Sequence, residues 1–139
     1  MTIVYTPGVW DLFHFGHLQF IRAAALRGDK LVVGVQSDAS VKKQKLRAPI
    51  IPQEQRAAIV YELNCVDHVI IYDELDHLVP LSQCGADVLV LSNEDQSEHG
   101  KLAEKQMWKF KRNTVRILRT PGVSTTDIRQ RVFEQEKLR

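Results

Sequence analysis

Five short apolar runs punctuate the chain and leave it few ways to fold. They are "IVY" from Ile3, "LVVGV" from Leu31, "HVIIY" from His68, "VLVL" from Val88 and "VRIL" from Val115. All are rich in β-branched residues, and four of the five lack the alternation of a strand with one wet face. That is the pattern of parallel strands covered on both sides. The segments between them have helical character. Leu18, Ile21 and Ala25 share one face of a first helix that ends near Gly28. A second starts at Pro52, a residue suited to a first helical turn, and carries Ile59, Val60 and Leu63. The spacing predicts a third helix over about Leu75 to Gln83 and a fourth over about Lys101 to Lys111. The last opens after Ser124, where "STTD" matches a capping box with Asp127 reaching back, and Ile128 and Val132 mark its expected buried stripe.

Strands alternating with helices predict an α/β fold with a parallel sheet and right-handed crossovers. In such sheets ligands bind beyond the carboxyl ends of the strands, where the strand order reverses. The loop after the first run holds Gly8 to His17, and the loop after the last holds "RTPGVSTT". With 139 residues and no internal repeat, linker or low-complexity tract, residues 1–139 read as one domain with one site.

Composition narrows the classes. The apolar content of 44% and charged content of 26% are those of a soluble globular protein. A net charge of +2 does not by itself imply a nucleic-acid partner. Cys65 and Cys84 make neither a metal spacing nor a disulfide framework, and read as small apolar residues in a reducing compartment. The amino terminus lacks a basic segment followed by a long apolar run, and no apolar stretch nears the ~20 residues of a spanning helix. The expectation is a cytoplasmic protein with no membrane partner.

Three groups of residues fall on the expected ligand rim. "GVWDLFHFGH" places His14 and His17 three apart around Gly16, just after Asp11. A zinc site would need third and fourth ligands, and Asp11 is the only obvious local candidate. Two satisfied histidines in a tight turn are the plain structural alternative. The third reading is a phosphate site: imidazolium donates from both nitrogens, Gly16 permits close backbone approach, and a helix N-terminus adds free amides. The cluster Lys42, Lys43, Lys45 and Arg47 follows the second strand and an expected turn at "QSDAS". It reads either as a solvated face or as mobile cations for phosphate oxygens. In "RTPGVSTTDI", Arg119 ends the last strand, Pro121 and Gly122 make a turn, and Ser124, Thr125 and Thr126 open a helix. An arginine, several hydroxyls and a helix N-terminus make an anion site with many donors. No acid–base pair or nucleophile elbow accompanies them. Chemistry built on positioning and charge neutralisation suits attack on a nucleotide phosphate.

The sequence resembles the HxGH nucleotidyltransferase superfamily: "HFGH" fits its signature, and "RTPGVSTT" fits the RTxGxSTT signature of the cytidylyltransferase branch. "GDKLVVGVQSD", the lysine cluster, "PQEQR" and "VDHVI" occur in the family's order, so the resemblance covers nearly the whole chain. It is most similar to enzymes coupling CTP to glycerol 3-phosphate, and to catalytic domains acting on phosphocholine or phosphoethanolamine. The resemblance implies a Rossmann-like three-layer α/β/α fold with a five-stranded parallel sheet. It also implies in-line attack of a substrate phosphate on the α-phosphate, release of pyrophosphate, Mg²⁺ carried by the nucleotide, and a homodimer. On this resemblance His14, His17, Lys45 and Arg119 are catalytic. Gly8, Val9, Trp10, Asp11, Gly16, Asn64, Ser92, Glu94, Ser124 and Thr125 are on the nucleotide's side, with Asp11 bracing the histidine loop. Lys45, with Lys43 as the fallback, takes the substrate, and Asp38 and Asp67 are structural.

Two stretches depart from the pattern. Cytidylyltransferases usually read "RYVDEV" where this chain has "NCVDHV", so Asn64 and Cys65 replace a basic and an aromatic residue. Related adenylyltransferases, acting on flavin mononucleotide or heptose phosphates, also lack that basic residue. The loop "LSNEDQSEHG" carries Ser92, Asn93 and Glu94 where glycine and aspartates are usual. The sequence therefore leaves open CTP with a small phosphorylated alcohol, ATP with flavin mononucleotide or a sugar phosphate, and a nucleotide-binding protein without activity.

Overall fold

A computed structural model describes every residue except Glu74 and Leu75. The strands are β1 (Ile3–Gly8), β2 (Lys30–Gln36), β3 (His68–Tyr72), β4 (Val88–Ser92) and β5 (Asn113–Ile117). The helices are α1 (Phe15–Ala25), α2 (Asp38–Lys45), α3 (Gln53–Tyr61), α4 (Leu78–Cys84), α5 (Glu98–Lys109) and α6 (Thr125–Lys137). The strands form one parallel sheet in the order β3-β2-β1-β4-β5. The chain is thus the Rossmann-like α/β fold that the resemblance implied.

The sheet is dry on both faces because successive side chains of each strand point to opposite sides. Val4, Val33, Val35 and Val90 pack with Ile21 and Ala24 of α1 and Val60 of α3. Tyr5, Val32, Leu89 and Leu91 pack with Leu81 of α4 and with Ala103 and Met107 of α5. The order reverses at β1, whose neighbours β2 and β4 lead away in opposite directions and open a crevice at the carboxyl ends.

Several sequence expectations need correction. The segment expected to turn at "QSDAS" is helix α2, which carries the lysines. It has little apolar periodicity, since only Ser40 and Val41 are buried, and local polar bonds hold it instead. Ser37 caps it by accepting from the Ser40 amide, and the Gln36 side chain donates to Ser40 Oγ at 2.9 Å and Gln44 Oε1 at 3.0 Å. Helix α5 starts three residues before Lys101, at Glu98, because Ser97 caps it through the Gly100 amide. The expected third helix begins on Leu75, which lies outside the described residues; its described part is α4. Helix α6 fully buries none of its residues; of the predicted stripe, Ile128 is half-buried and Val132 is 56% exposed. Its capping box is half made: Ser124 Oγ accepts from the Asp127 amide at 3.0 Å with no return bond from Asp127. Among the described residues, no helix is long and apolar enough to cross a membrane.

Candidate active site

At the reversal point lies a cleft of ≈ 420 Å³, walled by the β1–α1 loop, the end of α2, the loops after β4 and β5, and the start of α6. Its first wall is built by strain and packing. Trp10 and Leu12 adopt left-handed backbone, with φ of 58° and 49°. For bulky residues this costs about 1–3 kcal/mol each and persists only where surroundings over-determine it. Here they do. Trp10 Nε1 donates to the Gly34 carbonyl at 2.9 Å, and its indole lies so close to Gly8 that a Cβ there would approach to 2.7 Å.

Asp11 is 3% exposed and spans three segments. Its carboxylate accepts from the amides of Leu12, Ile50 and Ile51 and from the Arg129 guanidinium at 3.0 Å. Its carbonyl accepts from Thr125 Oγ1 at 3.0 Å. Burial acts to raise the Asp11 carboxyl, but the Ile50 and Ile51 amides and Arg129 outweigh it and hold the group below its ordinary value. These bonds tie the histidine loop to the 50–51 segment and to α6, so Asp11 braces the three.

The histidines cap the helix they begin. His14 Nδ1 accepts from the His17 amide and His17 Nδ1 accepts from the His14 amide, each at 3.3 Å, so the reciprocal capping box of this chain is here. The two rings stack, with centroids 3.7 Å apart. Gly16 is required by this arrangement: a Cβ would come within 2.9 Å of the His14 ring. With both Nδ1 atoms accepting, each neutral ring keeps its proton on Nε2. This corrects the expectation of imidazolium donating from both nitrogens. Burial, His14 and Arg119 push His17 down to about 3, and burial and Arg119 lower His14. The His14 Nε2 is buried in the cleft wall and has no partner among the described residues, leaving a donor in place.

The remaining walls are cationic. Lys45, Arg47, Arg119 and Arg129 line the cleft with Ser124, Thr125 and Thr126 at the start of α6. Burial, Arg47 and Arg129 lower Lys45. Arg119 pairs across the mouth with Glu94 at 3.2 Å. Gly8, Val9, Trp10, Asp11 and Ser92 also line the cleft, so one site gathers most of the sequence candidates. Two fall outside it. Lys43 is exposed and does not line the cleft. Asn64 is exposed in the loop leading into the amino end of β3, opposite the carboxyl ends where the cleft opens.

Sequence reasoning missed Arg129 and Arg56. Arg129 stands one helical turn after Thr125, a spacing that puts both on one face of α6. Arg56 is 1% exposed and donates to the carbonyls of Val9, Gln36 and Ile51 and to Asp38 Oδ1. It locks the histidine loop to α2 and α3, and gives Asp38 a structural role.

Comparisons with known proteins agree with this geometry. The cytidylyltransferase-like family model matches residues 5–131. The chain is 33% identical over 134 residues to the bifunctional protein HldE of Pelobacter propionicus, covering 96% of this chain and 27% of that protein. It is 31% identical to the HldE of Geobacter sulfurreducens, covering 95% of this chain and 27% of that one. The chain thus spans about a quarter of the length of these curated relatives. Among solved structures, a lipopolysaccharide core biosynthesis protein from Thermoplasma volcanium superposes with a TM-score of 0.75 at 28% identity, covering 86% of this chain and 98% of that one. A pantoate–β-alanine ligase from Francisella tularensis shares the fold at a TM-score of 0.57 and 14% identity, over 92% of this chain and 67% of its own. With paired histidines and a Ser-Thr-Thr helix start facing one crevice, the chain belongs to the cytidylyltransferase-like family of nucleotidyltransferases.

Proposed function

We propose that the protein transfers an adenylyl group from ATP to a sugar phosphate. A phosphate oxygen of the acceptor attacks the α-phosphorus in line, the bond from that phosphorus to the β-phosphate's bridging oxygen breaks, and pyrophosphate leaves. The observation carrying this reading is the convergence of the His14–His17 pair, Lys45, Arg119 and the start of α6 on one cleft. The Nε2–H groups of His14 and His17 donate to the phosphate oxygens as charge builds on them. Arg119 and the Ser124–Thr125 helix start hold the β- and γ-phosphates. Lys45, on the opposite wall, takes the acceptor phosphate.

Mg²⁺ bound to the triphosphate would neutralise part of its charge. Arg119 and the Ser124–Thr125 helix start, which line the cleft as donors rather than metal ligands, fit a triphosphate that brings its own cation. A homodimer belongs to the same proposal, supported by the uncovered Val132 and Phe133 of α6, each 56% exposed.

Support for ATP and a sugar phosphate over CTP and glycerol 3-phosphate comes from the relatives. The HldE proteins point that way, and the Thermoplasma volcanium neighbour serves the biosynthesis of a lipopolysaccharide core, which is built of sugars. Asn64 adds to this as a sequence pattern, since it lacks the basic character usual in cytidylyltransferases. The second reading, CTP with a small phosphorylated alcohol, is favoured by "RTPGVSTT". Thermal-shift titration with ATP, CTP, GTP and UTP plus Mg²⁺, followed by pyrophosphate release over a panel of phosphorylated acceptors, separates them. The expected result is stabilisation by ATP and turnover with a sugar phosphate. Preference for CTP restores the second reading. Equal weak responses to all four nucleotides overturn both.

A further inference from the structure

The end of α5 and the turn after it hold two large aromatic rings out in solvent. Of the two tryptophans in the chain, Trp10 is 6% exposed in the cleft wall and Trp108 is 83% exposed. Phe110, at the C-cap of α5, is 50% exposed. Neighbouring exposed aromatics are informative where a scattered leucine is not. The helix does not need Trp108 for its own docking, because His99, Ala103, Gln106 and Met107 make its buried face. Lys101, Lys105, Trp108 and Lys109 fall at i, i+4, i+7 and i+8, which puts them together on the outer face in a stripe ~12 Å long. The chain then turns with Lys111 in left-handed backbone, at φ of 56°, and leaves both Phe110 and Lys111 exposed.

The charge around the rings is of one sign and uncompensated. Lys101, Lys105, Lys109 and Lys111 are exposed and make no ion pair among the described residues. The nearby carboxylates are engaged elsewhere: Glu104 pairs with Arg116 and Asp87 with Arg112. Glu98 is exposed at the opposite end of the helix, ~15 Å along its axis from Trp108. Beside Phe110, a groove of ≈ 290 Å³ separates the ends of α4 and α5. Leu81, Gly85, Ala86, Met107 and Phe110 line it, and Arg112 is its one charged residue. Helix α5 returns from the carboxyl end of β4 to the start of β5, so the rings stand at the amino end of the sheet, where Val88 pairs with Asn113. The cleft opens at the other end.

We infer that this surface docks on an anionic lipid bilayer, with Trp108 and Phe110 entering the headgroup layer and the lysines facing lipid phosphates. An indole suits that layer because its ring is apolar and its N–H finds a polar partner there. Lysine stems lie along the apolar zone while their ammonium groups reach the phosphates. The inner face of α5 stays on the sheet, so the protein lies on the bilayer without crossing it, and the lack of a spanning segment does not bear on the contact. Two other occupants fit less well. A second copy related by a two-fold axis would set the same uncompensated lysines against each other. A single-stranded nucleic acid needs aromatic platforms along a basic groove, whereas here the groove is apolar and the lysines stand on an outward helix face. Docked in this way, the protein turns its cleft away from the bilayer, open to ligands in solution.

The test is co-sedimentation and tryptophan fluorescence of the full chain with equimolar phosphatidylglycerol–phosphatidylcholine vesicles and with vesicles of phosphatidylcholine alone. The expected result is binding to the anionic vesicles, weakened by added salt, with a blue shift in emission and no binding to the neutral ones. Because Trp10 is buried, the shift reports on Trp108 and should vanish in Trp108→Phe. Trp108→Ala should weaken vesicle binding roughly ten-fold. Lys105→Gln combined with Lys109→Gln should weaken it roughly 25-fold, about five-fold for each lysine. Melting temperature and ATP affinity should stay unchanged in all of them, since the residues are exposed and lie outside the cleft. No binding at low salt, equal binding to both kinds of vesicle, or undiminished binding in either the alanine or the lysine variant overturns the inference. Tighter retention by a single-stranded oligonucleotide than by anionic vesicles, lost in the lysine variant, overturns it in favour of nucleic acid, and a dimer that Trp108→Ala dissolves overturns it in favour of self-association.

Discussion

Two helix starts line the cleft side by side, with a Cβ at Gly16 only 3.5 Å from Val123, and they are held in different ways. At the start of α1, Gly16 is buried, the histidine rings stack, and each ring caps the other's amide. At the start of α6 no residue is buried, and Ser124 makes a single cap. What fixes α6 to the β1–α1 loop is Asp11, through Thr125 and Arg129. The first anion-binding surface is set by packing, the second by a few polar bonds to one carboxylate. Preorganised donors and adjustable ones are thus divided between two loops 110 residues apart, from His14 to Ser124.

The largest effect should come from cutting the tie. Asp11→Ala leaves the Arg129 charge and the Ile50 and Ile51 amides without their acceptor and should cost about 3–5 kcal/mol of stability. Asp11→Asn, which keeps an acceptor for the amides, should cost less. Urea unfolding of the two variants measures both, and equal losses would show that the charge on Asp11 is irrelevant to holding α6. On the α1 side, His14→Ala should lower turnover by roughly 100- to 1,000-fold, about 3–4 kcal/mol in the barrier, while loss of the cap on the His17 amide should cost only about 1 kcal/mol of stability. A variant that unfolds but keeps normal activity per folded molecule would make the ring a cap and nothing more.

Acid should act on the α1 start and on buried His77, whose Nδ1 lies 3.2 Å from the Tyr5 hydroxyl. The ordinary histidine value is 6.5, and in the fold His17 is held down to about 3 and His77 to about 4. Between these limits the unfolded chain binds more protons than the folded one, so stability falls as pH drops below 6.5 and continues falling toward the folded values. Melting temperatures across this window should decline steadily; a flat profile would mean that the histidines are charged in the fold. The smallest effect belongs to the mouth. Glu94→Gln frees Arg119 from a solvent-exposed pair and should tighten ATP binding by only roughly two- to five-fold, and less at high salt. No tightening at low salt would show that Glu94 does not compete with phosphate.

The strands were legible because a parallel strand buried on both faces must be written in β-branched apolar residues, whatever its neighbours. Helix α2 was not, since Ser37 and Gln36 hold it by side-chain bonds rather than by an apolar stripe. His14, His17 and Arg119 announced themselves by spacing, but the protonation of the rings depends on two amides that become neighbours only once α1 forms. The resemblance put Lys45 ahead of Lys43 without a physical reason, and helical geometry supplies one: of the two only Lys45 lines the cleft. Val132 matched a buried stripe in pattern, yet α6 follows the edge strand β5, and none of the described elements covers that side of it.

Arg129 reaches Asp11 across 118 positions of sequence. On the ribosome, the histidine loop emerges first and waits through more than a hundred further residues for the helix that completes its brace. Domains are made amino end first at roughly 5–20 residues per second, so several seconds separate the two halves of the phosphate site. A nascent chain, or one clipped after β5, would have all five strands but would lack the Arg129 and Thr125 bonds to Asp11. On the proposed function, competence for nucleotide would arrive after the sheet is complete, and a protease that removes α6 would take it away.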